Sequence, residues 1–352
     1  MKGNGVNTCV NAWLRSLISV ILAFATIECI IRNIYFQKPS NDVGFHKNIA
    51  PNSTVVYRLE GCGVSYWNAD GVRSRTNPPY RSNPILAIGD SFTEALQVDD
   101  NEVYTSILEK RLETKGNHSP ILNLGFSGGA LPHYIANADR YKSYFSPEWA
   151  IIQLRDPDLT TEAWGKDTPH FCKNSTNDVI ECVSGMVANH PTSIVFRIFI
   201  SASRLFSFPR YAYQRVKEFD LIFKKEAPLF KAGYVNTLSA EQSSDLSNYP
   251  IAQEIELVRK AYDGRLTILY IAPYDPKVPM SASPMETELS TICRRQGISF
   301  VTTRSLHARF IAKKISPFGF PNSNFNVGHC NHEGHQAIAE LLSDELAKVI
   351  KK

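Results

Sequence analysis

Five short apolar runs recur from residue 85 onward, and polar or turn-forming residues bound each of them. They lie at Ile85–Ile88, Ile121–Leu124, Trp149–Leu154, Leu266–Ile271 and Ile298–Val301. Continuous apolar runs of about four to eight residues are typical of buried strands. Because a strand that is covered on both faces is apolar at nearly every position, the runs predict the core of a sheet.

Amphipathic segments separate several of these runs. Glu102 to Leu112 and Glu333 to Ile350 each place apolar residues on one helical face, and a third helix begins at Ser283-Pro284 and ends at Gly297. Strands that alternate with helices form a parallel sheet with helices on both sides. The sequence therefore predicts an α/β fold, a three-layer α/β/α sandwich, with active-site residues at the carboxyl ends of the strands.

A longer apolar stretch lies near the N-terminus. Ser16 to Ile27 carries no charge, and Trp13 to Tyr35 supplies the roughly 20 mostly apolar residues of a spanning helix if Arg15 and Arg32 extend to the interfaces. We predict an uncleaved transmembrane helix. The alternative is a cleaved signal peptide, because Ala23-Phe24-Ala25 has the form of a cleavage site. Both alternatives export the main domain to the outer side of the cytoplasmic membrane, periplasmic or extracellular, if the short tail stays inside.

These patterns divide the chain into three parts. Residues 1–37 form the tail and anchor, and residues 38–84 are polar and turn-rich, which indicates a linker and domain entry. Residues 85–350 form the α/β domain, and an insertion at about residues 160–250 does not continue the alternation. At roughly 150 residues per domain, 352 residues suggest about two units. The pattern favours one domain with a long insertion.

Composition and charge narrow the class of protein. The chain is 43% hydrophobic and 20% charged, which excludes a disordered or fibrous protein. The net charge of +4 gives no case for nucleic-acid binding. The segment Ile194–Lys231, however, carries eight Lys and Arg residues against three acidic ones, with aromatic residues between them. It either contacts an anionic membrane surface or glycan, or covers the active site with a solvated basic face.

The seven cysteines are too few for a disulfide scaffold. Cys172 and Cys182 flank a polar loop or hairpin. An oxidised pair there would close a short loop and stabilise the fold by about 3 kcal/mol in the chain-entropy model. We treat Cys172–Cys182 as a candidate disulfide, with two free thiols as the alternative.

Three motifs stand where strands end or the last helix begins. Gly89-Asp90-Ser91 follows the first strand, and a serine entering a helix there exposes its hydroxyl beside N–H groups that can bind an oxyanion. The glycine turn Asn123–Gly129 lets backbone N–H groups approach a ligand closely. Three of the nine histidines fall within His329–His335. Together they indicate a nucleophile, an oxyanion site and a base.

In order and spacing, Gly89-Asp90-Ser91, the turn ending at Gly128, and His329-x-Asn331-x-x-Gly334-His335 resemble blocks I, II and V of the SGNH/GDSL hydrolases. Asn68–Arg73 and Asp90–Val98 are similar to membrane-anchored bacterial members associated with cell-surface polysaccharide. The resemblance covers about residues 64–160 and 250–350. It implies the SGNH, flavodoxin-like form of the sandwich, and no cofactor or metal.

The resemblance also implies roles for individual residues. Ser91 is the expected nucleophile, His329 its general base and Gly128 an oxyanion donor. Pro157 stands where the family has an asparagine donor, and proline has no N–H to donate. Gln153 or Arg155 is the candidate replacement.

Asn326 stands at the position of the family aspartate, three residues before His329. An asparagine can orient an imidazole through a hydrogen bond, but it cannot stabilise the imidazolium by charge. The expected site is therefore a Ser91–His329 pair with Asn326 or a backbone carbonyl as its orienting group.

We predict a membrane-anchored serine esterase or O-acyltransferase. It would act on ester-linked acyl groups, in particular acetyl groups of a cell-surface saccharide, through an acyl-Ser91 intermediate. The alternative is a catalytically impaired SGNH-like protein that binds glycan or assists polysaccharide assembly, which Pro157 and Asn326 favour. A metal site at the histidine cluster with Cys330 is a weaker alternative, because the His-Glu-x-x-His form is absent.

Overall fold

The structure is a computed structural model. It describes residues 15–28, 45–46, 49–58, 60–80, 82–159, 170–173, 179–182, 246, 249–274, 281–323 and 326–350. The chain divides into two compact units, Met1–Pro39 with Ala188–Phe223, and Ser40–Val187 with Lys224–Lys352. The described part of the first unit is one helix, α1, over residues 15–28.

A five-stranded parallel sheet forms the centre of the second unit. Its strands are β3 (Ile85–Ile88), β4 (Ile121–Asn123), β5 (Trp149–Leu154), β8 (Arg265–Tyr270) and β9 (Ser299–Thr302). Each apolar run of the sequence forms one of these strands to within one residue at either end. No residue of β3 or β5 is more than 3% exposed. The predicted α/β fold with a parallel sheet is confirmed, because burial on both faces is what makes these strands continuously apolar.

Helices cover both faces of this sheet. Ile85 and Ala87 of β3 face one core, and Leu86 and Ile88 face the other. The first core is covered by α3 (Tyr104–Thr114), α8 (Arg304–Lys313) and α9 (His332–Ile350). The second is covered by α4 (Leu131–Ala136), α5 (Ala138–Phe145), α6 (Ile251–Ala261) and α7 (Pro284–Arg295). A short helix, α2 (Ser91–Glu94), follows β3 directly.

Two antiparallel hairpins lie outside the sheet. The first joins β1 (Ser53–Tyr57) and β2 (Gly63–Trp67), within the segment that the sequence predicts as a linker. Its last residue, Trp67, is fully buried, so the hairpin packs into the unit. The second joins β6 (His170–Lys173) and β7 (Val179–Cys182).

The β6–β7 hairpin contains both cysteines of the candidate disulfide. Cys172 lies opposite Ile180, and Cys182 lies opposite His170, so the two cysteines are not register partners. A disulfide between Cys172 and Cys182 stays a prediction.

The predicted anchor is described only in part, and the predicted basic segment lies wholly outside the described residues. Helix α1 presents its apolar side chains to solvent, among them Val20 at 66% and Leu22 at 61% exposed. Within the ranges given above, none of the helices combines the length and apolar character that crossing a membrane requires. The remainder of the Trp13–Tyr35 stretch, and all of Ile194–Lys231, lie outside the described residues.

The strand order places the functional end of the sheet. The order is β4-β3-β5-β8-β9, so the chain leaves β3 towards β4 and leaves β5 towards β8, in the opposite direction. In such sheets a crevice opens where the direction reverses, outside the carboxyl ends of the two strands. That crevice lies between the ends of β3 and β5.

Candidate active site

The turn after β3 brings Ser91 to the start of α2. Asp90 accepts a hydrogen bond from the backbone N–H of Phe92 at 2.8 Å and so caps the helix. Gly89 has no room for a side chain, because an added Cβ would lie 2.4 Å from Thr93 Oγ1 and 2.5 Å from Gln153 Oε1. The Gly-Asp-Ser sequence thus meets the steric and capping needs of this turn.

Ser91, His329 and Glu60 form a hydrogen-bonded chain. The Ser91 hydroxyl lies 2.7 Å from Nε2 of His329. On the other side of the ring, Nδ1 of His329 lies 2.5 Å from Oε2 of Glu60, and the backbone N–H of His329 donates to Oε1 at 2.8 Å. This is the geometry of a nucleophile, a general base and an orienting carboxylate.

The position that the sequence analysis gives to Asn326 is occupied by Glu60. Asn326 instead adopts a left-handed backbone with φ of 66°, donates its backbone N–H to Phe318 O at 3.1 Å, and lines the cavity described below. The chain therefore turns at Asn326, three residues before the base, and leaves Nδ1 of His329 to a carboxylate that arrives from the β1–β2 turn.

Sequence reasoning missed Glu60 because it lies 269 residues before His329 along the chain. Its surroundings are polar and turn-rich, so no periodic pattern marks it. One signal existed: no aspartate occurs between Asp275 and Asp344, and Glu60 is the only glutamate in residues 38–84. A triad that lacks its usual aspartate needs a carboxylate from elsewhere.

Two further contacts hold Glu60 in place. The Asn322 side chain brackets Gly61 by accepting from its N–H at 2.8 Å and donating to its carbonyl at 2.8 Å. Gly328, with φ of 94°, lets Glu60 approach, because an added Cβ would lie 2.2 Å from Glu60 Oε1. Burial by itself would raise the pKa of Glu60, but the hydrogen bonds and charge of His329 outweigh it and lower the pKa below the usual range.

The backbone N–H of Ser91 stands out at the nucleophile turn. The N–H groups of Asp90, Phe92, Thr93 and Glu94 all donate to acceptors within this turn or to Gln153. The N–H of Ser91 has no acceptor among the described residues. It lies next to the nucleophile, where a backbone donor can stabilise an oxyanion.

The glycine turn after β4 shows the same feature at Gly128. The neighbouring N–H groups all have acceptors: Gly125 donates to Asn123 Oδ1, Phe126 to Gly89 O, Ser127 to Glu94 Oε2, and Gly129 to Phe126 O. In the part of the chain that the structure covers, the N–H of Gly128 finds no acceptor. Gly128 has φ of 77°, which a glycine adopts without strain. Gly128 is exposed and is not among the residues that line the cavity described below, so its role as a donor stays a prediction from the resemblance.

The two candidate replacements for the missing asparagine differ in position. Gln153 is fully buried behind the turn, and its Oε1 accepts from Asp90 N at 3.2 Å and Thr93 Oγ1 at 3.1 Å. Arg155 lines the cavity beside Ser91, and its Nη2 donates to Asp90 Oδ2 at 2.7 Å. Only Arg155 is therefore placed to reach a bound molecule.

A cavity of about 290 Å³ opens at Ser91 and His329. This volume lies at the small end of ligand pockets. Most of its wall is apolar, formed by Phe92, Ile271, Ala272, Pro273, Tyr274, Phe318 and Val327. Arg155, Asp156 and Asn326 add polar groups. Phe92 lies between the His329 ring, 4.9 Å from it by centroids, and the Arg155 guanidinium, 4.1 Å from its centroid.

The other members of the histidine cluster point elsewhere. His332 is exposed and lies 3.6 Å from Glu102. His335 is buried and stacks on Tyr104, and burial lowers the pKa of His335 to about 3. Burial also raises the pKa of the Cys330 thiol. Across the described segments, no group of three or more His, Cys, Asp or Glu side chains is arranged to hold a metal ion.

The sequence was compared with known proteins and the fold with solved structures. No family model and no curated protein matches the sequence. Among solved structures, the chain is similar to a two-domain esterase active on acetylated mannans, co-crystallised with mannopentaose. That match has 12% identity and a TM-score of 0.40, and it covers 76% of this chain and 50% of that one, so the chain spans about half its length.

Two further solved structures cover more of their own chains. A catalytic mutant of an acetylxylan esterase from Geobacillus stearothermophilus matches at 14% identity and a TM-score of 0.39, covering 75% of this chain and 94% of that one. An alpha/beta hydrolase enzyme from the metagenome of Lake Arreo, Spain, matches at 13% identity and a TM-score of 0.38, covering 75% of this chain and 95% of that one. Matches at these identities and TM-scores do not establish a function, so the function proposed below is derived from the geometry of the site.

Proposed function

We propose that this protein is a serine ester hydrolase of SGNH type, with Ser91, His329 and Glu60 as its triad. One observation carries the proposal: the Ser91 hydroxyl, the His329 ring and the Glu60 carboxylate are joined at 2.7 Å and 2.5 Å at the wall of a cavity. A chance serine at a strand end has no base within hydrogen-bond reach and no carboxylate behind that base.

Each group has a defined part in the reaction. Ser91 Oγ attacks the ester carbonyl carbon while His329 Nε2 takes its proton, and Glu60 stabilises the resulting imidazolium. The carbonyl oxygen becomes an oxyanion that the N–H groups of Ser91 and Gly128 stabilise. Collapse breaks the ester bond, His329 returns the proton to the leaving alcohol, and the acyl-Ser91 is resolved by water in a second cycle.

Arg155 either donates the third hydrogen bond to the oxyanion or places its positive charge close to it. It lines the cavity with Ser91, and its guanidinium is fixed by Asp90 and by the ring of Phe92. Gln153 is not assigned this part, because its carbonyl oxygen holds the nucleophile turn from the core side.

The substrate that we propose is a small acyl ester, in particular an acetyl ester of a saccharide. The cavity of about 290 Å³ holds a short acyl group with part of its alcohol. Its apolar wall suits an acyl methyl group, and Asp156 and Asn326 offer polar atoms for hydroxyl groups. Transfer of the acyl group to a second saccharide uses the same acyl-Ser91 intermediate as hydrolysis.

A fluorophosphonate probe tests the nucleophile directly. We expect it to label the protein at Ser91, and we expect Ser91→Ala to abolish the label. Ser143→Ala, which changes an exposed helical serine, serves as the matched control and should label like the natural chain. Folded protein that resists labelling would reject the enzyme. Release of acetate from aryl acetates with and without a saccharide acceptor then separates hydrolysis from transfer.

A glycan-binding or assembly protein is the second candidate. Pro157 favours it, because this residue lines the cavity where the family has a donor and has no N–H. The candidate predicts that Ser91→Ala and His329→Ala leave the biological role intact. It also predicts that saccharides protect the cavity in hydrogen exchange although no ester is cleaved.

We further propose that residues 13–35 anchor the protein in the cytoplasmic membrane, with the main unit on the outer side. The uncharged stretch from Ser16 to Ile27 and the exposed apolar side chains of α1 support this location. An anionic surface or glycan contact by Ile194–Lys231 belongs to the same proposal and rests on charge alone.

A further inference from the structure

A second buried glutamate lies beside the triad and has no part in the reaction described above. Glu94 is the last residue of α2, three positions after the nucleophile, and is only 3% exposed. A carboxylate held away from water in this way is costly unless its bonds compensate. The identity of its partners therefore indicates what it does.

Both carboxylate oxygens of Glu94 are occupied. Oε2 accepts from the backbone N–H of Ser127 at 2.9 Å and from the Ser127 hydroxyl. Oε1 lies 3.0 Å from Nε2 of His46, whose ring packs against Trp67 at 4.4 Å between centroids. Glu94 thus joins the glycine turn to the segment that precedes the first hairpin.

The bond to Ser127 fixes the residue next to Gly128. The N–H groups of Phe126, Ser127 and Gly129 are all held, two by other backbone groups and one by Glu94. Only the Glu94 bond comes from a side chain. Ser127, the residue that precedes Gly128, is therefore held by the Glu94 carboxylate, while backbone bonds hold the residues on either side.

The same residue is joined rigidly to the nucleophile. Ser91 and Glu94 are the first and last residues of one helical turn. Gly125 packs directly on that turn, since an added Cβ there would lie 2.3 Å from Glu94 N. Arg73, itself buried, donates to the carbonyls of Glu94 and Ala95 at 2.7 Å and 2.6 Å. These contacts leave the nucleophile and the oxyanion turn little freedom to move apart.

We propose that Glu94 is a positioning residue for the oxyanion site. Through Ser127 it holds the Gly128 N–H at a fixed distance from the Ser91 hydroxyl, and His46 holds the far side of its carboxylate. The inference rests on the proposed hydrolase function. A residue that acts in this way affects the transition state, where the oxyanion exists, more than substrate binding.

Steady-state kinetics on an aryl acetate test this role. We expect Glu94→Gln to lower kcat about 10- to 100-fold with KM changed less than about 3-fold. A Gly128 N–H that is no longer held in position stabilises the oxyanion almost as poorly as one that is absent. Ser127→Ala should lower kcat about 5- to 10-fold with the same small change in KM. In the double variant the two losses should not multiply, because both weaken the hydrogen bonds between Ser127 and the Glu94 carboxylate.

Glu109→Gln is the matched control. Glu109 is also a buried glutamate that accepts a backbone N–H, from Ile121 at 2.8 Å, but it does so at the opposite end of β4 from the glycine turn. It should keep the kcat of the natural chain.

The outcomes separate the two proposals. A natural chain that neither cleaves esters nor reacts with fluorophosphonate overturns the hydrolase and this role together. A reactive natural chain whose Ser127→Ala variant keeps full kcat overturns the role of Glu94 alone. So does a double variant whose losses multiply. Ser127 is exposed, so its variant is expected to fold even where Glu94→Gln does not.

Discussion

In the proposed reaction, Glu60 supplies the negative charge that His329 needs when it takes the Ser91 proton. Glu60→Gln keeps the size of the side chain and one acceptor oxygen but removes the charge. We expect kcat on an aryl acetate to fall by about 10²- to 10⁴-fold with little change in KM, as for loss of the acid in other triads. Glu102→Gln removes a half-buried carboxylate near His332 and should leave kcat unchanged. Equal rates for the natural chain and Glu60→Gln would remove Glu60 from the triad.

Gly328 allows the Glu60 carboxylate to reach His329. Gly328→Ala adds a methyl group 2.2 Å from Glu60 Oε1 at a φ of 94°. Gly116→Ala is the matched control, because Gly116 has a φ of 87° and open space around it. Both variants should lose about 1–2 kcal/mol of unfolding free energy through backbone strain.

Only Gly328→Ala should also lower kcat, because only there does the methyl group displace Glu60. Chemical denaturation and steady-state kinetics on both variants separate strain from displacement. If the two variants lose activity equally, backbone strain alone explains the loss.

Ser91 and His329 could be predicted from the sequence, whereas Glu60 could not. The first two lie in short motifs at a tight turn and at a helix start, where the local backbone geometry restricts which residue types can stand beside them. Glu60 is placed by Asn322 and Gly328, which contact it across the fold. A contact between distant segments produces no periodic pattern of residues in either segment. The sequence of a polar turn therefore does not reveal whether the turn makes such a contact.

The start of helix α9 carries a pH-sensitive group in His335. Burial lowers the pKa of His335 to about 3, against about 6.5 in an unfolded chain. Between these values the unfolded state binds the proton and the folded state does not, so stability falls as the pH drops below about 6.5. The slope from this one group is about 1.4 kcal/mol per pH unit.

His335→Phe keeps a ring against Tyr104 and removes this titration. The loss of unfolding free energy between pH 7 and pH 5 should be about 2 kcal/mol smaller in the variant than in the natural chain. Denaturant titrations at the two pH values measure it, with His118→Gln as the control at an exposed histidine. An unchanged difference would mean that the folded chain protonates His335 readily.

At the scale of elements, the strands of the sheet were predictable and the first hairpin was not. The strands of the sheet are buried on both faces, and this burial requires an apolar residue at nearly every position. In the β1–β2 hairpin, Thr54, Val64 and Tyr66 are exposed while Trp67 is buried. Burial alternates regularly along β2, but two of its buried residues, Gly63 and Ser65, are not apolar. The sequence therefore resembles a linker, although the hairpin carries Glu60.

At the scale of the whole unit, the site gathers residues from five separate parts of the chain. The reversal of strand order brings the ends of β3 and β5 together, which places Ser91 beside Arg155. The glycine turn after β4 adds Gly128, and the segment before α9 adds His329. The β1–β2 hairpin closes the arrangement with Glu60, so the candidate site includes a residue that lies well before residue 85.

The location of the protein is tested by changing the most exposed apolar residues of α1. Val20 and Leu22 are 66% and 61% exposed. An aspartate at the centre of a spanning helix costs about 2.5–3.5 kcal/mol, so Val20→Asp with Leu22→Asp should move the protein from the membrane pellet to the supernatant in alkaline carbonate. Val20→Ala with Leu22→Ala should stay in the pellet. Fluorophosphonate labelling should persist in both, because the triad lies in the other unit. A natural chain found in the supernatant would reject the anchor without touching the triad.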